Sequence, residues 1–179
     1  MRTFVCVAAL AAVVVAGPAF AATPAATDTA NATAKGTVLK AHQLVKSTDL
    51  NFGVVTVSSA AGGGTVTITS DAAGTQSVSG GVTSLSGVSS SAVFLGQAAP
   101  LETVQLTLNQ PANGTLKNTN NANITIPAAL TMDATSAAGP IVTDSTGQFT
   151  VYVGGTFTLA PSQAAGVYSE TFSVRADYQ

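Results

Sequence analysis

A single histidine, two aspartates beside a loop, a run of three glycines and a cluster of asparagines are the residues of this chain whose types could do chemistry. His42 is the only histidine, so a histidine-based metal site or a Ser-His-Asp triad would rest on it alone. Between Ala41 and Gln43, on an expected strand, it reads as a surface residue. Asp133 and Asp144 flank a loop and could pair for acid-base work or hold calcium, but no D-x-D-x-D-G run accompanies them. Gly62, Gly63 and Gly64 lack the following lysine and helix of a phosphate loop and read as a turn. Asn118 to Asn123 could present amides to a sugar, although a solvated loop is the simpler reading. Asn31-Ala32-Thr33, Asn113-Gly114-Thr115 and Asn123-Ile124-Thr125 match glycosylation acceptors, a pattern that an Asn- and Thr-rich chain produces by chance. No nucleophile, base and orienting group can be assembled from these residues. The sequence therefore predicts a non-enzyme, with no catalytic residue, no cofactor and no metal.

Composition narrows the partners. Only 8% of the 179 residues are charged and the net charge is −2, where soluble domains average about a quarter charged. Lys35, Lys40, Lys46, Lys117 and Arg175 are scattered, whereas phosphate binding draws on clustered basic residues, so nucleic acid is excluded as a partner. Residues 1–21 read as a secretory signal peptide. Arg2 supplies the positive start, Phe4 to Val15 the apolar run, and Ala19-Phe20-Ala21 the small residues at the cleavage site. That run is too short to span a bilayer, which needs about 20 residues, so no membrane insertion is expected after cleavage. The expected location is the periplasm, the cell surface or the exterior. Cys6 falls inside the leader, which leaves the mature chain without a cysteine or a disulfide.

Those few side chains must be positioned by strands. Residues 22–35 are small and polar and read as a flexible arm, with Ala30, Ala32 and Ala34 alternating with Asn31 and Thr33 as a candidate donor strand. Residues 36–179 form the single domain. Thr37 to Lys46 reads as its first strand, and Leu50 and Phe52 share a face before a bend at Gly53. Thr65 to Thr69 and Thr103 to Asn109 alternate as strands and Ala92 to Gly96 reads as a short strand carrying Phe94, with a tight turn at Asn113-Gly114. Gln148 to Leu159 reads as a hairpin or a long bent strand, interrupted by Gly154-Gly155. No window carries a helical period with caps. About eight or nine short strands separated by Gly, Asn, Ser and Pro predict an all-β antiparallel sandwich, with Phe52, Phe94, Phe149, Phe157 and Phe172 in its core.

The last stretch, residues 166–179, places Tyr168, Phe172, Val174, Ala176 and Tyr178 on alternate positions, so it reads as one terminal strand with one buried face. The chain ends one residue later, so no following strand is expected to cover its edge. Strict alternation would also turn Glu170 inward between Tyr168 and Phe172. It must sit at the rim or be rotated out by a bulge, because an unpaired buried carboxylate is costly.

Leu50-Asn51-Phe52-Gly53, Gly63 to Ile68, Val153 to Leu159 and Gly166 through Tyr178 resemble the pattern of an exported bacterial family, domain of unknown function 4402. The last segment is also similar to the C-terminal strand of chaperone-usher pilins and of the spore coat protein U domain. Tyr178 is penultimate, Phe172, Val174 and Ala176 alternate before it, and Gly166 stands twelve residues upstream. The resemblance implies an immunoglobulin-like, pilin-like sandwich lacking one strand, which a periplasmic chaperone and then another copy would lend. It implies that Gly166, Phe172, Val174, Ala176 and Tyr178 contact the lent strand. The expected function is a non-enzymatic structural subunit of a surface filament or coat, with copies of itself and a periplasmic chaperone as partners. The alternative is a self-complete monomeric sandwich acting as a binding module or adhesin at the surface or in the periplasm.

Overall fold

The computed structural model describes residues 29–60, 62–85 and 87–179. The expected signal peptide and residues 22–28 of the expected arm lie outside the described residues. The chain divides into two units, residues 1–36 and 37–179. In the first, residues 29–36 are exposed and form no regular structure.

The second unit is an all-β, immunoglobulin-like antiparallel sandwich. Its strands are β1 (Gln43–Thr48), β2 (Val55–Val57), β3 (Gly64–Ile68), β4 (Gln76–Gly80), β5 (Val82–Ser84), β6 (Ala92–Gln97), β7 (Thr103–Asn109), β8 (Thr115–Asn118), β9 (Thr125–Met132), β10 (Ile141–Val142), β11 (Gln148–Leu159), β12 (Tyr168–Ser169) and β13 (Ser173–Tyr178). The large sheet runs β1-β6-β11-β9-β8-β12, with β3 attached to the far half of β11 and β4 attached to β3. A three-stranded sheet, β10-β7-β13, and a ribbon of β2 with β5 complete the pairing.

Period-two alternation sets which side chains enter the core. Along β11, Phe149, Val151, Val153, Phe157 and Leu159 are buried while Gln148, Thr150 and Thr158 are exposed. Phe149, Val151 and Val153 join Phe94, Val104, Leu106 and Ala176 in one apolar cluster. Phe157 and Leu159 join Val66, Val82, Leu116 and Ile126 in a second. Phe52 packs against both clusters. Burying a phenylalanine contributes about 2 to 3 kcal/mol, so in a chain this poor in charge the rings carry much of the stability.

Several elements differ from the sequence expectation. The first strand begins at Gln43 rather than Thr37, because its partner β6 ends at Gln97, the residue opposite Gln43. Val38, upstream of that pairing, is 95% exposed. β4 was not expected, since Gln76 to Gly80 is nearly all polar, and it forms because β3 offers it a five-residue ladder. A one-turn helix, α1 (Ala134–Ala137), was not expected either. It is capped by Asp133, whose carboxylate accepts from the Ser136 N–H. The expected single terminal strand is two strands in different sheets, β12 against β8 and β13 against β7.

Gly96 of β6 lies opposite Phe149 of β11, and a side chain there would collide with the Phe149 ring. Gly96→Val is expected to lower stability by about 1 to 3 kcal/mol through overpacking, whereas Val45→Thr on the outer face of β1 should stay within about 0.5 kcal/mol. Urea unfolding of both variants tests this, and equal midpoints would refute the packing assigned to the Phe149 ring.

Candidate functional site

β13 pairs on one side only. Its ladder with β7 runs from Ser173 opposite Asn109 to Tyr178 opposite Val104, and it is the last strand of its sheet among the described residues. Gln179 N–H donates to Thr103 C=O at 3.2 Å. In an antiparallel pair hydrogen-bonded and non-bonded positions alternate, so Arg175 and Asp177 also bond to β7, while Val174, Ala176 and Tyr178 turn their N–H and C=O toward the open side. The side chains of these same three residues face the core, where Ala176 is buried and Val174 and Tyr178 are half-buried.

β1 likewise ends the large sheet, and a groove separates it from β13. One part, about 450 Å³, has Leu44 and Lys46 on one wall, Phe172 and Val174 on the other, and Phe94 at its floor. The other part, about 680 Å³, lies between residues 50–57 and 163–170 over Leu116, Ile126, Phe157 and Leu159. Glu170 and Phe172 line both parts, so the two adjoin at these residues. Two edge-to-face aromatic pairs stiffen it, Phe94 with Phe172 at 6.0 Å and Phe52 with Phe157 at 4.8 Å between centroids.

One end of the groove is closed. The Tyr178 hydroxyl accepts from Ala99 N–H at 2.7 Å and donates to Lys40 C=O at 2.5 Å. The His42 ring stands edge-on to Tyr178 at 5.6 Å. Ala99 is held in turn, because the buried Thr143 hydroxyl donates to its carbonyl at 2.7 Å and accepts from Glu102 N–H at 3.1 Å. Tyr178 therefore ties the end of β13 to the segment entering β1 and to the loop after β6.

Toward the other end, Glu170 explains why the terminal stretch breaks. Its carboxylate pairs with Lys117 of β8 at 2.5 Å and accepts from the Thr171 N–H at 3.1 Å. The chain crosses there from one sheet to the other, which resolves the inward position that a single strand would have forced on this residue. The hydrogen bond from Lys117, then that from Thr171, holds the Glu170 carboxyl below its ordinary value. Gly166 is not a strand residue. It lies on the groove wall at φ +148°, and a side chain there would collide with Asn118. Asn118 is itself buried, unlike residues 119–123, which are exposed as a solvated loop would be. Its Oδ1 accepts from the N–H groups of Asn120 at 2.9 Å and Asn121 at 3.3 Å.

Of the site residues expected from sequence, Gly166, Phe172 and Val174 line the groove, Ala176 lies beneath its edge and Tyr178 closes it. The arm residues Ala30, Ala32 and Ala34 are exposed and outside any strand. The remaining candidates are dispersed. His42 is exposed against Tyr178. Asp133 caps α1 and accepts from Tyr152 N–H. Asp144 closes a turn by accepting from the Thr146 hydroxyl and from the N–H groups of Gln148 and Thr146; the hydroxyl bond first, then the backbone ones, hold its carboxyl below its ordinary value. Gly62 adopts φ +81° in a turn. Among the described residues no three His, Cys, Asp or Glu side chains gather where they could hold a metal. The closure by Lys40, Ala99 and Thr143 was missed at the sequence level, since its partners are far apart along the chain and share no motif.

Fold and groove together define an immunoglobulin-like sandwich with two facing unpaired edges. The chain belongs to the family described as domain of unknown function (DUF4402), whose model matches residues 43–178. No curated protein matches its sequence.

Two variants test this geometry. Tyr178→Phe removes the hydroxyl that two backbone groups share and should cost about 1 to 3 kcal/mol in chemical unfolding; an unchanged midpoint would refute the closure. Glu170 has a depressed folded-state pKa, so its contribution is present above its unfolded value of 4.5 and is lost as pH falls through the folded one. Glu170→Gln should melt below the parent protein at pH 7, and the gap should shrink at pH 3. A gap independent of pH would show that the ion pair does not act as described.

Proposed function

We propose that this chain is an exported, non-enzymatic structural subunit of a bacterial surface filament or coat, assembled by strand addition. The observation that carries the reading is the pair of unpaired edges, β1 and β13, facing one another across a groove lined by Leu44, Phe94, Phe172 and Val174 together with Lys46, Asp49 and Glu170. An unpaired edge exposes a row of backbone donors and acceptors and invites pairing with another chain. An extended segment laid between the two would satisfy the outward N–H and C=O groups of Val174 and Ala176, while its alternate side chains covered Phe94, Phe172 and Phe157. This is β-augmentation, in which backbone bonds supply affinity and alternate side chains supply specificity.

The segment offered is the N-terminal arm of a second copy. Six residues of β13 extend about 20 Å and the fourteen residues 22–35 about 46 Å at 3.3 Å per residue, so the arm is long enough to line the groove. Ala30, Ala32 and Ala34 present small side chains, which suit a groove whose walls and floor already carry large aromatic rings. A periplasmic chaperone would occupy the same edge before assembly. A second reading, a monomeric binding module or adhesin, draws support from the 680 Å³ part of the groove, which is large enough for a small ligand.

Removal of residues 22–35 separates the two. Protein carrying the arm is expected to form polymers visible by electron microscopy. The truncated protein should remain monomeric and bind a peptide of residues 22–36, and Val174→Pro should weaken that binding by removing an outward N–H from an edge strand. An arm-bearing protein that stays monomeric at high concentration without a chaperone, and a truncated one that ignores the peptide, would sink the filament reading.

A further inference from the structure

The 680 Å³ part of the groove lies between a second pair of unpaired edges. Among the described residues β2 pairs with β5 alone and β12 with β8 alone. Val54 C=O accepts from Leu85 N–H at 3.0 Å, and Ser58 N–H donates to Gly81 C=O at 2.8 Å. Alternate residues of this stretch therefore bond to β5, and Val55 and Val57 turn their N–H and C=O away from it. Thr119 N–H donates to Val167 C=O at 2.9 Å, so by the same alternation Tyr168 turns its backbone groups away from β8. Val55, Val57 and Tyr168 all line this cavity, and their side chains pack against the apolar cluster that forms its floor. Outward backbone donors and acceptors on two walls, over an apolar floor, are the requirements of an extended chain.

The two parts of the groove are bounded by the same two stretches of chain. One wall is Leu44, Lys46 and Asp49 in the smaller part and residues 50–57 in the larger. The other is residues 170–174 in the smaller part and residues 163–170 with Phe172 in the larger. One wall thus runs forward as the other runs back, and the parts lie end to end. We infer that a single extended segment occupies both, flanked by β1 and β13 in one and by β2 and β12 in the other, and that this segment is the whole arm, residues 22–35, of a second copy. The inference rests on the strand-addition reading and extends its contact to the second pair of edges. Length selects the occupant. The six residues of β13 take up about 20 Å of an arm that reaches about 46 Å at 3.3 Å per residue, which leaves about 26 Å of it without a partner in the smaller part. The wall from Leu44 to Val57 has fourteen residues, as many as the arm. Where the parts meet, Glu170 is already paired with Lys117, so the arriving segment need not supply it with a counter-ion.

Both apolar clusters are built from residues 44–178, so protein without residues 1–35 keeps its core and serves as the acceptor. Dye-labelled peptides 22–28, 29–35 and 22–35 are titrated against it by fluorescence anisotropy. The fourteen-residue peptide is expected to bind at least about tenfold more tightly than either half, since its second contact forms intramolecularly. Val57→Pro, which removes an outward N–H from β2, should abolish that gain, while Val174→Pro weakens binding at the other pair of edges. Binding of 22–35 that Val174→Pro weakens, but that is no tighter than the better half or is indifferent to Val57→Pro, would overturn the second contact and leave strand addition standing. Failure of every peptide to bind would overturn both. A disulfide test does not depend on how the proline variants fold. The acceptor contains no cysteine, and a disulfide requires Cα atoms within about 7 Å of each other. Of 22–35 peptides bearing Ala22→Cys or Lys35→Cys, one and not the other should cross-link to the Val57→Cys acceptor. Cross-linking of neither, or of both equally, would overturn the end-to-end placement.

Discussion

The structure depends on one strand serving three partners. β11 pairs with β6 through residues 148–153 and with β3 through residues 155–159, while β9 pairs with residues 153–157. Val153 is opposite residues of both β6 and β9, and residues 155–157 are opposite residues of both β3 and β9, so β6 and β3 share one edge of β11 end to end. Their meeting falls at Gly154 and Gly155. A side chain at Gly154 would collide with Ile68 C=O, and one at Gly155 would come within 2.6 Å of Ala129 C=O. Because β11 feeds Phe149, Val151 and Val153 to one apolar cluster and Phe157 and Leu159 to the other, both halves of the domain hang on this glycine pair.

The groove is the complement of that arrangement. The small sheet β10-β7-β13 covers β6 and the near half of β11, and between β1 and β13 no described strand continues the cover. What remains is floor: aromatic and aliphatic side chains from both clusters, with Glu170 the one acidic residue common to the two parts. Polar groups elsewhere are satisfied locally. Among the described residues no buried side-chain nitrogen or oxygen lacks a hydrogen-bond partner. β1 and β13 each pair on one side only, so backbone groups along both edges have no strand partner among the described residues.

Much of the architecture could be read from alternation. Thr103 to Asn109 forms β7 as its pattern required, Ala92 to Gly96 lies within β6, and Gln148 to Leu159 is one unbroken twelve-residue strand. Gly53 and Gly62 take positive φ at the expected bend and turn. The misreadings share a cause. β4 has no apolar face of its own and exists because β3 pairs with it. Thr37 to Lys40 has only an imperfect period and no partner strand, and stays outside the sheet. Tyr168 has the right parity for β13 but belongs to β8's sheet, because Lys117 captures Glu170 and the backbone changes sheets between them. Local pattern reports which side chains prefer burial, and partner availability decides which segments become strands.

Sequence alone determined the all-β class, the faces of the principal strands, and the residues Val174, Ala176 and Tyr178 as the inner face of the last one, with Phe172 just ahead of it, since period-two alternation is a property of neighbouring residues. Tertiary structure decided the rest. It set β13 beside β7 and not beside β1, opened the groove between them, and closed one end through a tyrosine hydroxyl that reaches Lys40 and Ala99, residues distant in the chain. It also turned Gly166 from a strand residue into a clearance beside Asn118. These are relations between segments far apart in sequence, set by which edges remain unpaired after the core has packed, and no local spacing records them.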